Sequence, residues 1–289
     1  MRQTGWVVCK AFLQLHSPEE QAALLQFMPS SDQERLKKLP DTFRDPTEGV
    51  TPFEELLDAI HPSWLAPYLR KLSEIEIRLF LSALSKSQAE TLKALLLFGN
   101  QLLPLKGCAK EYLHGVIADV LKHGEEVLPI ECLPHSPLNE LLMLPSLKFQ
   151  EALFLLGLHD LAAEISQIID AAKVKKIYTA LSPDEKNYLQ QISSQREPFF
   201  LGRTPLSLQE EKSPGLRQWV RHRGINRLAK ALWGQDPSLF WHIEHRLEVS
   251  EANELKKMSS RLEHSQASNI LLQQIVQVIS HIPKQRGAA

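Results

Sequence analysis

The sequence predicts an all-α protein, an irregular armadillo-like stack of short helices in two to three sub-domains. Three observations carry this. Leucine occurs 49 times, valine 11 times and glycine 12 times in 289 residues, a balance that favours straight-chain helix formers over β-branched strand formers. Helix starts recur as Ser followed three residues later by Glu or Gln, a box in which side chains and backbone satisfy each other's orphan donors. After these starts, apolar residues return at helical spacing.

Taken in order, Ser17-Pro18-Glu19-Glu20 opens an N-terminal helix, with Pro at the first helical position where its missing N–H costs nothing. One helix is expected to carry Trp64, Leu65, Tyr68, Leu69 and Leu72 on its buried face. Ser73 to Glu76 starts the next, with Leu79, Phe80, Ala83 and Leu84 inward, and Ser85 to Gln88 starts another, with Leu92, Leu95 and Leu96. Further along, Ser182-Pro183-Asp184-Glu185 and Asp236-Pro237 repeat the same kind of start. Helices this short cannot bury their faces alone and must stack. A diverged internal repeat agrees: Leu81-Ser82-Ala83-Leu84-Ser85 with Leu92 matches Tyr178-Thr179-Ala180-Leu181-Ser182 with Leu189 without a gap.

Three stretches interrupt the helical period. Residues 40–52 read as a linker, 128–145 hold four prolines, and 193–214 lack a sustained period. The expected organisation is an N-terminal helical segment over 1–45, a middle domain over 46–130, and a C-terminal helical domain over 131–289 with an irregular insert near 193–214.

Lys plus Arg number 33 against 34 Asp plus Glu, a net charge of -1 that is neither that of a nucleic-acid-coating protein nor that of an acidic tail. Cys9, Cys108 and Cys132 form no CxxC pair, and an odd count excludes a fully paired disulfide framework, so a reducing compartment is expected. No apolar run approaches the roughly 18 residues of a membrane span, and no secretory leader is readable. The phosphate-loop, dinucleotide and nucleophile-elbow motifs do not occur, and a non-enzymatic chain without cofactor is expected. His242 and His245 stand three apart where a zinc helix needs four and a third ligand, so no metal is expected.

Arg217, Arg221, Arg223, Arg227 and Lys230 form the strongest local run of charge, with no acid among them. Two readings compete: a patch for phosphate, lipid or an acidic partner through Arg217 and Arg221, or a solvated face opposite Leu216, Trp219, Val220, Leu228 and Leu232. At any one of the five tryptophans, core is the better expectation.

The segment Ile60-His61-Pro62-Ser63-Trp64-Leu65-Ala66, continuing to Leu81-Ser82-Ala83-Leu84, resembles the middle armadillo-like unit of the flagellar motor switch family FliG, which opens with a Glu-His-Pro-Gln motif. Residues 225–258 resemble that family's C-terminal helices in their Leu-Ala-x-Ala-Leu-x-Gly start and in the Ala-Asn before Leu255. Ile60 and Ser63 replace the family's Glu and Gln, so the family's partner contact carries over to His61 and Pro62, with Trp64 beside them. The charged helix of the family falls near Ser250 to Leu262, where Lys256, Lys257 and Arg261 stand without an adjacent acidic pair.

The resemblance implies a scaffold or adaptor at the cytoplasmic face of a flagellar or type III secretion basal body, in a static role. It further implies ring and switch-type basal-body partners, a homo-oligomeric ring, no nucleic acid, and a cytoplasmic location with peripheral association at the inner membrane. The alternative readings are a helical-repeat adaptor unrelated to secretion and an anionic-ligand binder acting through residues 217–230.

Overall fold

A computed structural model of the protein describes residues 3–39, 53–99, 101–194, 213–261 and 267–282. Among the described residues the fold is all-α, without a strand. The expected linker over 40–52 lies outside the described residues, as does the irregular insert except for 193–194 and 213–214. The chain divides into two compact units, each discontinuous in sequence: Met1–Asn139 with Asp236–Glu248, and Glu140–Gln235 with Val249–Ala289.

In the first unit, α1 (Gln3–Gln14), α2 (Pro18–Leu25) and α3 (Ser30–Lys38) surround a small core of Trp6, Leu13 and Leu36. Arg35 lies over the Trp6 indole, 5.2 Å from the ring centre. There follow α4 (Phe53–Ala59), a 3-10 turn (Pro62–Trp64), α5 (Ala66–Leu69), α6 (Glu74–Ala83), α7 (Lys86–Leu96) and α8 (Gly107–Lys122). The single helix expected through Trp64 and Leu72 is instead a 3-10 turn and a one-turn helix. Pro67 explains the break, because a proline inside a continuous helix would remove a donor and clash with the preceding turn.

In the second unit, α9 (Ser146–Ile165) is the central helix, with ten buried residues including Phe149, Leu153, Leu156 and Leu161. Around it pack α11 (Pro183–Ser193), which follows α10 (Ala171–Ala180), and α12 (Ser213–Leu232). The chain then places α13 (Pro237–Glu244) in the first unit before α14 (Val249–Met258) and α15 (Ala267–His281) complete the second. Trp241 of α13 joins the first unit's main core with Leu57, Leu69, Leu81, Leu92 and Ile117.

The helix starts at Ser73 and Ser182 are complete capping boxes, as is that at Ser17, and Asp236 caps α13 by accepting from the Ser238 N–H. Ser85 also precedes its helix, but its side chain makes no cap hydrogen bond. The reciprocal half of the box is absent too, because the Gln88 amide turns inward and donates to the Leu57 and Ile60 carbonyls at 2.6 and 3.0 Å, tying α7 to the end of α4. The internal repeat marks equivalent joints: Leu84-Ser85 connects α6 to α7 and Leu181-Ser182 connects α10 to α11, each through an extended Leu and a Ser N-cap.

Candidate partner-binding site

His61 is built into the turn at which α4 ends. Its Nδ1 accepts the Ser63 N–H at 3.3 Å and lies 2.8 Å from the Ser63 hydroxyl, so the ring acts as the N-cap that Ser or Asp supplies elsewhere. Pro62 then occupies the first position of the 3-10 turn. The main chain is anchored as well, the His61 N–H donating to the His245 carbonyl at 2.8 Å.

Trp64 is half-buried. Its indole N–H donates to the Leu247 carbonyl at 3.0 Å, and its ring stacks on His245 at 4.1 Å between centres. On the other side His245 stacks on Trp241 at 3.9 Å, while its Nδ1–H donates to the Trp241 carbonyl at 2.8 Å. A Trp-His-Trp stack therefore joins the His-Pro turn to residues 241–247, all of which are buried. Arg246 lies in this run, and burial pushes its guanidinium down to about 10. The expectation that Trp64 is a core residue holds for one side of its ring, and the turn from His61 to Trp64 remains half-exposed.

The two histidines weighed for metal are committed to main-chain carbonyls of the first unit, His245 as above and His242 by donating Nε2–H to Leu128 at 2.8 Å. Among the described residues no cluster of three or more His, Cys, Asp or Glu is placed to hold a metal ion. The cysteines are free, and burial raises the thiols of Cys9 and Cys132, which disfavours their reactive thiolates.

In the second unit, acids from neighbouring helices meet the cations of α12. Arg217 bonds Glu185 through both terminal nitrogens, at 2.8 and 3.2 Å, and lies over the Phe154 ring. Arg221 pairs with Glu251 and Gln150, and Lys230 bonds the Ser260 hydroxyl. Arg223 and Arg227 are buried and both pair with the Asp160 carboxylate, and Arg227 also donates to Gln274 at 2.6 Å. The residues that read as an anion-binding patch thus tie α12 to α9, α11, α14 and α15. Arg223 and Arg227 are core residues, which neither the patch nor the solvated-face reading anticipated. Lys256 and Lys257 are exposed in the last turn of α14, and Arg261 is exposed beyond it.

The expected site residues therefore fall into two groups: His61, Pro62 and Trp64 form one turn of the first unit, and Arg217, Arg221, Lys256, Lys257 and Arg261 belong to the second. Residues 225–258, which sequence treats as one run of helices, supply both units. Sequence reasoning did not join Trp241 and His245 to Trp64, nor Asp160, Glu185 and Glu251 to the arginines of α12, because these pairs lie 30 or more residues apart. No protein-family model, curated protein or solved structure matches this chain.

Proposed function

We propose that the chain is a non-enzymatic scaffold of the FliG kind, which binds ring or switch-type proteins at the cytoplasmic face of a flagellar or type III secretion basal body. The observation that carries this reading is the residue match from Ile60 to Leu84, whose His61-Pro62 pair occupies a formed, half-exposed turn on an all-helical unit. Three features suit that role. A turn anchored by backbone hydrogen bonds and a buried aromatic stack is pre-organised, so little ordering cost opposes binding. Half-exposed His61, Pro62 and Trp64 offer a compact contact of the kind that carries interface energy, an aromatic flanked by polar groups. No described helix is long and apolar enough to cross a membrane, which fits peripheral association through a protein partner.

The test is the affinity of the purified chain for basal-body ring and switch proteins, measured calorimetrically with the wild type, His61→Ala and Ser63→Ala. His61→Ala should weaken binding by about 1 kcal/mol or more, roughly fivefold. Ser63→Ala removes the hydroxyl beside the ring and should leave affinity near wild type. Absence of binding to any such protein returns the chain to a helical adaptor of another system. A loss that merely follows a lowered melting temperature returns His61 to a capping role.

A further inference from the structure

Two of the three cysteines sit at one joint of the first unit. There α1 packs against the 3-10 turn Ile130–Cys132, Cα atoms of the two elements coming within 8 Å of each other. Cys9 stands on the inward side of α1, packed against the core of Trp6, Leu13 and Leu36. Cys132 closes the turn, its N–H donating to the Pro129 carbonyl at 2.9 Å, and its neighbours Glu131 and Leu133 are both buried. The two thiols are half-buried, and Cys132 lies within electrostatic reach of Cys9 across the joint. Cys108 is exposed in the first turn of α8. We propose that Cys9 and Cys132 are a paired-thiol site, which a small-molecule disulfide of the glutathione type oxidises to a cross-link between α1 and the turn.

The exchange balances in two steps. The Cys9 thiol gives its proton to water and the thiolate attacks one sulfur of the oxidant, whose S–S bond breaks so that one half leaves and is protonated. The Cys132 thiolate, formed in the same way, attacks the Cys9 sulfur of the mixed disulfide, forms the Cys9–Cys132 bond and expels the other half as a thiol. Two protein thiols have then lost two electrons and two protons to one disulfide, which has become two thiols. Cys9 attacks first, because the Glu131 carboxylate further disfavours the thiolate of Cys132. Burial slows both steps by making thiolate scarce, but the equilibrium is set by geometry. An S–S bond needs Cα atoms about 4.4–6.8 Å apart, a span that the close approach of α1 to the turn allows, and a fold that holds both sulfurs at one joint raises their effective concentration. The link fastens α1, and with it the small core that α1 shares with Leu36 of α3, to the turn.

The full chain, equilibrated in mixtures of reduced and oxidised glutathione, then alkylated and digested, is the test. A peptide pair joined through Cys9 and Cys132 should appear, while Cys108 is alkylated or carries glutathione alone. The equilibrium constant for the link should be at least about tenfold larger in the folded chain than in urea, a potential about 30 mV more negative. By the same linkage the bridged chain should melt above the reduced chain, and Cys132→Ser should show no rise on oxidation. Separate capping of Cys9 and Cys132 by glutathione without a link, a link from either to Cys108, or a constant equal to that in urea overturns the proposal. The mapping and the constant need only the wild type, so the proposal stands or falls even where Cys132→Ser does not fold.

Discussion

Two glycines lock the main crossing of the second unit. A Cβ on Gly157 would lie 1.8 Å from the Val220 carbonyl oxygen, and one on Gly224 would lie 1.8 Å from that of Leu153, so α9 and α12 touch backbone to backbone. Gly157→Ala should therefore cost about 3 kcal/mol or more, because rigid main chain must move apart. Gly115 is the opposite case: it is also helical, but nothing lies within 4 Å of its Cβ position, so Gly115→Ala should stabilise by about 0.5–1 kcal/mol. Chemical denaturation of the two variants side by side checks this, and equal effects would mean that the crossing is looser than described. Leu97 shows a different residue-scale strain, with φ at 54° and its side chain almost wholly exposed at the C-terminal end of α7. Leu97→Gly should stabilise by about 0.5–1 kcal/mol, since glycine adopts the left-handed conformation without steric cost.

Between elements, polar side chains do more than the helix boxes suggest. Gln88 completes the end of α4, so Gln88→Ala should cost about 2 kcal/mol by stripping donors from two carbonyls, while Ser85→Ala, at the same helix start, should cost a few tenths. Thermal melts that rank these two the other way would restore the capping box at Ser85. The fastening of α12 to α9 has an ionic part as well, and Asp160→Ala removes the carboxylate that Arg223 and Arg227 share. That change should cost about 3–5 kcal/mol, the range for breaking a buried pair. Where boxes do form, at Glu20 and Glu76, hydrogen bonds from Ser17 and Ser73 hold the carboxylates below their usual range. Their stabilising effect is present above that range and lost as pH falls through the lowered values.

For the whole molecule, the discontinuity of the first unit makes a further prediction. A fragment of residues 1–139 lacks Trp241, which belongs to its core, and lacks the His245 and Leu247 carbonyls that receive His61 and Trp64. Joined through a short linker to residues 236–248, the same fragment should melt at a higher temperature and more cooperatively than 1–139 alone. Identical melting of the two fragments would show that the returning segment adds nothing to that core.

The all-helical class, the starts at Ser17, Ser73, Ser182 and Asp236, and the equivalent joints at Leu84-Ser85 and Leu181-Ser182 were legible in the sequence, because caps and periodicity act within four residues along the chain. So was the His61-Pro62 turn. Tertiary structure alone decided that Gln88 would turn inward, that the cations of α12 would meet Asp160, Glu185 and Glu251, and that Trp241 and His245 would join Trp64. Those outcomes depend on which distant helices pack together. A local pattern of charge or apolarity states that a face needs a partner, and only the packed chain supplies which partner it receives.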